Sequence, residues 1–168
     1  MLNIFLIGFM GSGKSTVAAH LTKKYGMEIV EMDQLIVERE GMSISDIFEK
    51  KGETYFRDVE TNLLIEIQTE QNKVVSCGGG VVLREQNVEE MKKSGKIVFL
   101  NAKPETILKR VKHDDSRPLL HGKKNVNAIS NMMEQRRPKY ENAADFIIQV
   151  DGKDTDAICK EIFERIGG

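Results

Sequence analysis

Short runs centred on β-branched residues alternate along this chain with stretches in which apolar positions recur at helical spacing. The runs are Leu2 to Ile7, Met27 to Met32, Lys73 to Cys77, Lys96 to Asn101 and Asp145 to Val150. Each reads as a buried strand. Lys14 to about Tyr25, Asn87 to Lys93, Glu105 to Val111 and Thr155 to Ile166 read as helices between them. Five strands separated by helices predict an α/β protein with a five-stranded parallel sheet covered on both faces. Such sheets bind ligands beyond the carboxyl ends of their strands.

Two segments interrupt the alternation. Asp33 to Asn72 has no strand pattern and reads as three helices, Gln34 to Glu40, Ile44 to Lys51 and Thr54 to Glu70. His113 to Asn127 is polar and charged around Arg117-Pro118-Leu119-Leu120. Long insertions at the ligand end of a parallel sheet usually bind substrate or close over it. Plain decoration is the alternative.

Composition narrows the picture by exclusion. The chain has 168 residues, which suits one domain with a real core, and 25 basic against 26 acidic side chains leave a net charge of −1. No bulk charge recruits nucleic acid or an anionic membrane. No apolar stretch is long enough to cross a bilayer, and the apolar start lacks the basic flank and cleavage pattern of a signal peptide. Cys77 and Cys159 are far apart, and His20, His113 and His121 are scattered, so neither a disulfide framework nor a metal cluster is expected. A cytoplasmic protein is the expectation, with monomer as the starting assumption because no exposed apolar stripe is evident.

The chemistry begins at Gly8-Phe9-Met10-Gly11-Ser12-Gly13-Lys14-Ser15. This run matches G-x-x-x-x-G-K-[ST] and lies between a predicted strand and a predicted helix. Its glycines let successive backbone N–H groups face one anion, and the helix N-terminus adds partial positive charge. Lys14 can reach the β- and γ-phosphates, and the Ser15 hydroxyl can hold Mg²⁺. Gly11, Ser12, Gly13, Lys14, Ser15 and Thr16 are therefore the expected nucleotide contacts, in a phosphate loop spanning 8–16. The motif predicts nucleotide binding on a three-layer α/β/α P-loop NTPase fold. It leaves the phosphate acceptor open. A GTPase-like switch is disfavoured: the Asn72-Lys73 pair lacks the Asp of a guanine reader, and no Asp-x-x-Gly follows a strand.

Further residues occur in a distinctive order. Glu31-Met32-Asp33 ends the second strand, and Phe56-Arg57 lies in the inserted helices. Gly78-Gly79-Gly80 follows the third strand, Arg117-Pro118-Leu119-Leu120 falls in the second insertion, and Arg136-Arg137-Pro138-Lys139-Tyr140 lies near the end of the next helix. From Met1 to about Val150 this set resembles the shikimate kinase family. The resemblance implies ATP-dependent phosphorylation of the 3-hydroxyl of shikimate, in chorismate and aromatic amino-acid synthesis. It implies one domain over 1–168, with a substrate-binding insertion at about 33–60 and a lid at about 113–124. In this reading Arg57 and Arg136 hold the substrate carboxylate, where planar guanidinium groups pair well. Asp33 accepts from ring hydroxyls and orients or deprotonates the nucleophile, and Gly78, Gly79 and Gly80 bring backbone close to the ring. Lys14, Asp33 and Arg117 carry the catalysis, and Arg110 stacks on adenine. Mg²⁺ is served by Ser15 and by Glu31, where the family usually has Asp; the longer side chain can still reach a metal-bound water. After Val150 the chain also lacks the proline that many members place against adenine.

Each residue also has an ordinary reading. Asp33 could cap the following helix, Arg57 could pair with Glu53 or Glu60, the three glycines could be only a turn, and Arg110 and Arg136 could be solvated. A gluconate or nucleotide kinase would share the loop and lid, and a nucleotide-dependent binding module would share the fold.

Overall fold

The computed structural model describes residues 2–111 and 126–167, with no account of the Val111 side chain. The proposed lid at about 113–124, including Arg117, lies outside the described residues. Five parallel strands form one sheet: β1 Asn3–Ile7, β2 Glu28–Glu31, β3 Lys73–Ser76, β4 Gly95–Asn101 and β5 Phe146–Gln149, in spatial order β2-β3-β1-β4-β5. All of β1 is buried. Its residues alternate between two apolar cores, as a strand covered on both sides requires. Ile4 and Leu6 face one core with Val74, Val98, Leu100 and Ile148. Phe5 and Ile7 face the other with Val75, Ile97 and Phe99.

Eight α-helices are described: α1 Lys14–Tyr25, α2 Met32–Glu40, α3 Ile44–Lys51, α4 Glu53–Ile67, α5 Glu85–Ser94, α6 Pro104–Val111, α7 Val126–Ala143 and α8 Thr155–Ile166. The first core receives α1, α6, α8 and the start of α7; the second receives α2 to α5 and the end of α7. Tyr25 on α1 stacks on Phe163 of α8, ring centroids 3.9 Å apart. Asp156 of α8 bridges His20 and Lys24 of α1.

The helical insertion after β2 folds as the periodicity predicts, with differences at its ends. The Ser43 hydroxyl caps α3 by accepting from the Asp46 N–H at 3.1 Å. The third inserted helix stops at Ile67, short of Glu70; the chain then turns, with Asn72 at φ 61°. A 3₁₀ turn at Val81–Leu83, which helical periodicity is too coarse to show, follows the triple glycine, and α5 starts at Glu85. The last strand is one residue shorter at each end than the apolar run, and the Asp145 carboxylate beside it accepts from the Ile97 N–H at 2.8 Å.

At the amino ends of the strands, Asn3 is completely buried and ties three elements together. Its amide donates to Glu70 O at 2.9 Å and Ser94 Oγ at 3.0 Å, and it accepts from the Lys73 N–H at 2.9 Å. An Asn3→Leu variant leaves the Lys73 donor and the Glu70 acceptor without their side-chain partner. It should lose about 2–4 kcal/mol of stability in urea unfolding. An unchanged midpoint would show that water substitutes for Asn3.

Candidate active site

The carboxyl ends of β1, β2 and β3 are adjacent because β3 lies between β2 and β1. Two clefts open there. The first, of about 770 Å³, is walled by the loop from Met10 to Val17, by Glu31 and Asp33, by Ser76 and Cys77, and by Arg110 and Val150. The second, of about 490 Å³, lies between the triple glycine and the helices α2, α3 and α4. Met10, Asp33, Gln34 and Gly79 belong to both walls.

The loop between β1 and α1 curls through left-handed backbone at Gly11, φ 81°, and Gly13, φ 98°. Side chains at these positions would be strained. The turn closes with Ser12 N–H donating to Phe9 O at 3.1 Å. The Lys14 ammonium donates to the carbonyls of Gly8 at 2.6 Å and Phe9 at 3.3 Å, so it is folded along the loop. Thr16 lines the cleft beside it. Ser15 Oγ donates to Glu31 Oε2 at 2.9 Å and stands 3.4 Å from Ser76 Oγ. Glu31 therefore reaches the loop hydroxyl despite its extra methylene. The oxygens of Ser15, Glu31 and Ser76 thus come together in the cleft wall, a donor type that fits Mg²⁺. No cluster of three or more His, Cys, Asp or Glu ligands occurs among the described residues. Arg110 is exposed, yet its Nη1 donates to Gly11 O at 2.9 Å, which lays the guanidinium over the loop.

In the second cleft the packing is governed by the absence of side chains. A Cβ on Gly80 would lie 2.5 Å from the Arg57 guanidinium. One on Gly78 would lie 2.7 Å from Glu60 Oε2 and 2.9 Å from Asp33 Oδ1, and one on Gly79 3.4 Å from Arg136 Nη1. Four charged groups thus converge on bare backbone. Arg57 is held by Glu60 at 2.8 Å and Glu53 at 3.4 Å, and lies over the rings of Phe56 and Phe48. Arg136 lies over Phe9. Tyr140, one turn beyond Arg136, donates its hydroxyl to Gly79 O. Among the described residues, Asp33 Oδ1, Glu60 Oε2 and Arg136 Nη1 are buried without a hydrogen-bond partner. Such groups carry a cost unless a ligand or water meets them.

Electrostatics separate the two arginines. Arg57 already faces two carboxylates, whereas Arg136 Nη1 has no acceptor among the described residues. The Glu60 carboxyl is pushed up from 4.5 to about 7 by burial; the Arg57 charge opposes the rise and the Asp33 charge adds to it. Burial also drives the Cys77 thiol far above its usual range, so it stays neutral beside the site.

Of the residues expected from the sequence, Gly11 to Thr16, Glu31 and Arg110 gather around the first cleft. Arg57, Gly78, Gly80 and Arg136 gather around the second, and Asp33 and Gly79 border both. The capping alternative for Asp33 fails, since α2 has no side-chain cap. The pairing alternative for Arg57 holds in part: it pairs with both Glu53 and Glu60 and still faces the cleft. Glu60, Ser76 and Tyr140 were not expected as site residues. Glu60 and Tyr140 could have been found from helical spacing, three residues after Arg57 and four after Arg136.

Comparison with known proteins identifies the family and the fold. The sequence model of the shikimate kinase family matches residues 10–167. The chain is 45% identical to the shikimate kinase of Persephonella marina, over 99% of each chain. Its fold superposes on the structure of Acinetobacter baumannii shikimate kinase in complex with shikimate with a TM-score of 0.92 and 33% identity, covering 98% of this chain and 92% of that one. A gluconokinase from Sinorhizobium meliloti shares the fold, with a TM-score of 0.61, but only 17% identity, over 98% of this chain and 90% of that one.

The raised carboxyl of Glu60 makes a pH prediction. The folded chain binds this proton more tightly than the unfolded chain does. Its stabilising contribution is thus complete below about 4.5 and is lost as the pH rises through about 7. Glu60→Gln has no such titration. In urea unfolding, the wild type should gain on the variant between pH 8 and pH 5 by on the order of 2 kcal/mol. A difference independent of pH would mean that Glu60 is ionised throughout this range.

Proposed function

The chain belongs to the shikimate kinase family, and we propose that its first cleft holds ATP, its second holds shikimate, and the residues they share carry out the transfer. The enzyme phosphorylates the 3-hydroxyl of shikimate with ATP, giving shikimate 3-phosphate and ADP in aromatic amino-acid biosynthesis. The observation that carries the proposed division of roles is Asp33. It borders both clefts, and its buried Oδ1 has no partner among the described residues.

In the first cleft, the N–H groups from Gly11 to Thr16 and the N-terminus of α1 surround the phosphates, and Lys14 neutralises them. Ser15 and Glu31 would hold Mg²⁺. When bound, the ion would draw charge from the phosphate oxygens and so favour departure of ADP. Arg110 and the backbone after Val150 flank the base.

In the second cleft, Arg136 supplies the positive charge for the shikimate carboxylate, and Arg57, oriented by Glu53 and Glu60, completes the pairing. Asp33 accepts the hydrogen bond of the 3-hydroxyl. As that oxygen bonds to the γ-phosphorus, the bond to the β,γ-bridging oxygen breaks and Asp33 takes the proton. Gly78, Gly79 and Gly80 allow the ring to approach the backbone. The helices α2 to α4 form the acceptor-binding element. For the lid at about 113–124 and its Arg117, the proposal rests on the family pattern: a cation beside the transferred group and a cover that keeps water from accepting it. We further propose a cytoplasmic monomer without nucleic-acid or membrane partners. No described helix is long and apolar enough to cross a membrane.

The test is ADP release from Mg-ATP with shikimate, gluconate or nucleoside monophosphates supplied separately. Release with shikimate alone is expected; release with another acceptor would overturn the roles given to Asp33, Arg57 and Arg136. Arg136→Ala should raise the KM for shikimate by about ten- to a hundredfold and leave the KM for ATP nearly unchanged. Equal rises in both would move Arg136 out of the acceptor site. Lys14→Ala should abolish transfer, and near-normal turnover would refute the phosphate-loop mechanism.

A further inference from the structure

Thr61 on α4 and Asn87 on α5 form a buried polar contact, 5% and 0% exposed. The Asn87 amide is oriented without ambiguity, because its Nδ2 donates to Val81 O at 2.8 Å. Its Oδ1 therefore faces Thr61, whose hydroxyl lies 2.7 Å away. The same hydroxyl is 3.0 Å from Arg57 O and has one proton to give, so Asn87 is the nearer acceptor and Arg57 O the weaker one. Arg84 Nη1 donates to Thr61 Oγ1 at 3.3 Å and to Asp58 at 2.8 Å.

These contacts close a ring. From Arg57 it runs along α4 to Thr61, through the Thr61 hydroxyl to Asn87 on the next helix, then to Val81. Val81 directly follows Gly80, over which the Arg57 guanidinium lies. Gly80 has no side chain to set its distance from that guanidinium. The distance is set instead by how far α4 stands from the turn at Val81–Leu83, and Thr61 and Asn87 span that gap. An apolar pair of similar volume would fill the space but would leave Val81 O without its donor. The polar pair has a directional effect that an apolar one lacks: it holds a backbone carbonyl at a defined distance.

We propose that Thr61 and Asn87 are a positioning pair that sets the spacing between Arg57 and the Gly78–Gly80 turn, and with it the fit of the acceptor. The inference rests on the acceptor reading of the second cleft. Neither Thr61 nor Asn87 lines either cleft.

The experiment compares the wild type with Thr61→Val/Asn87→Leu, Asn87→Leu and Thr61→Ser, measuring the KM for shikimate, the KM for ATP and the melting temperature of each. The double variant should raise the shikimate KM about tenfold, since small displacements of binding groups are costly. Its ATP KM should stay within about twofold, while its melting temperature falls because Val81 O loses its donor. Asn87→Leu alone should show the same KM split with a lower melting temperature, and Thr61→Ser, which keeps the hydroxyl, should restore the shikimate KM. A native shikimate KM in the folded double variant, or equal rises in both KM values, overturns the pair while leaving the acceptor reading intact. A wild type that does not turn over shikimate overturns both.

Discussion

The Arg57 guanidinium lies so close to the backbone of Gly80 that a single methyl group would come within 2.5 Å of it. Much of the acceptor cleft follows from that approach. A guanidinium can be placed this deep only if its charge is met, and Glu60 and Glu53 meet it. It must also be held flat, and the rings of Phe48 and Phe56 lie beneath it. The side-chain-free turn leaves room for Asp33 of α2, Glu60 of α4 and Arg136 of α7 to crowd around the same backbone.

The crowding has an electrostatic consequence. Two carboxylates and two guanidinium groups around one turn are balanced in number but not in placement. Arg57 is paired, whereas Asp33 and Arg136 each retain a buried atom without a partner among the described residues. A ligand that is an anion at one end and a hydroxyl donor at the other would satisfy both. The Glu60 carboxyl lies between these groups, and burial pushes it up despite its arginine partner. The acceptor site is therefore sensitive to pH at this supporting group.

The sheet joins this site to the nucleotide. Because β3 runs between β1 and β2, the triple glycine, the phosphate loop and Asp33 leave neighbouring strand ends. Asp33 and Gly79 then form a wall with a cleft on each side. In-line transfer between two bound substrates needs this adjacency, and rigid strands supply it more reliably than loops would.

Much of this was legible in the chain itself. The strands and helices follow from local periodicity. The phosphate loop is a contiguous motif whose glycines and lysine act within a few residues of one another. Asp33, Arg57, the glycines and Arg136 were legible through family resemblance, because their order along the chain carries the pattern. Glu60 and Tyr140 were within reach of helical spacing, but which face of α4 or α7 matters depends on what it packs against. The partnership of Thr61 with Asn87, the contact of Tyr140 with Gly79 and the oxygen set of Ser15, Glu31 and Ser76 were not legible. Each joins residues brought together only by the crossover order of the strands. The sequence determined which groups the protein has and the local structures that carry them. The tertiary structure decided which charges are buried, which are paired and which are left facing a cleft, because these depend on distances between segments far apart in the chain.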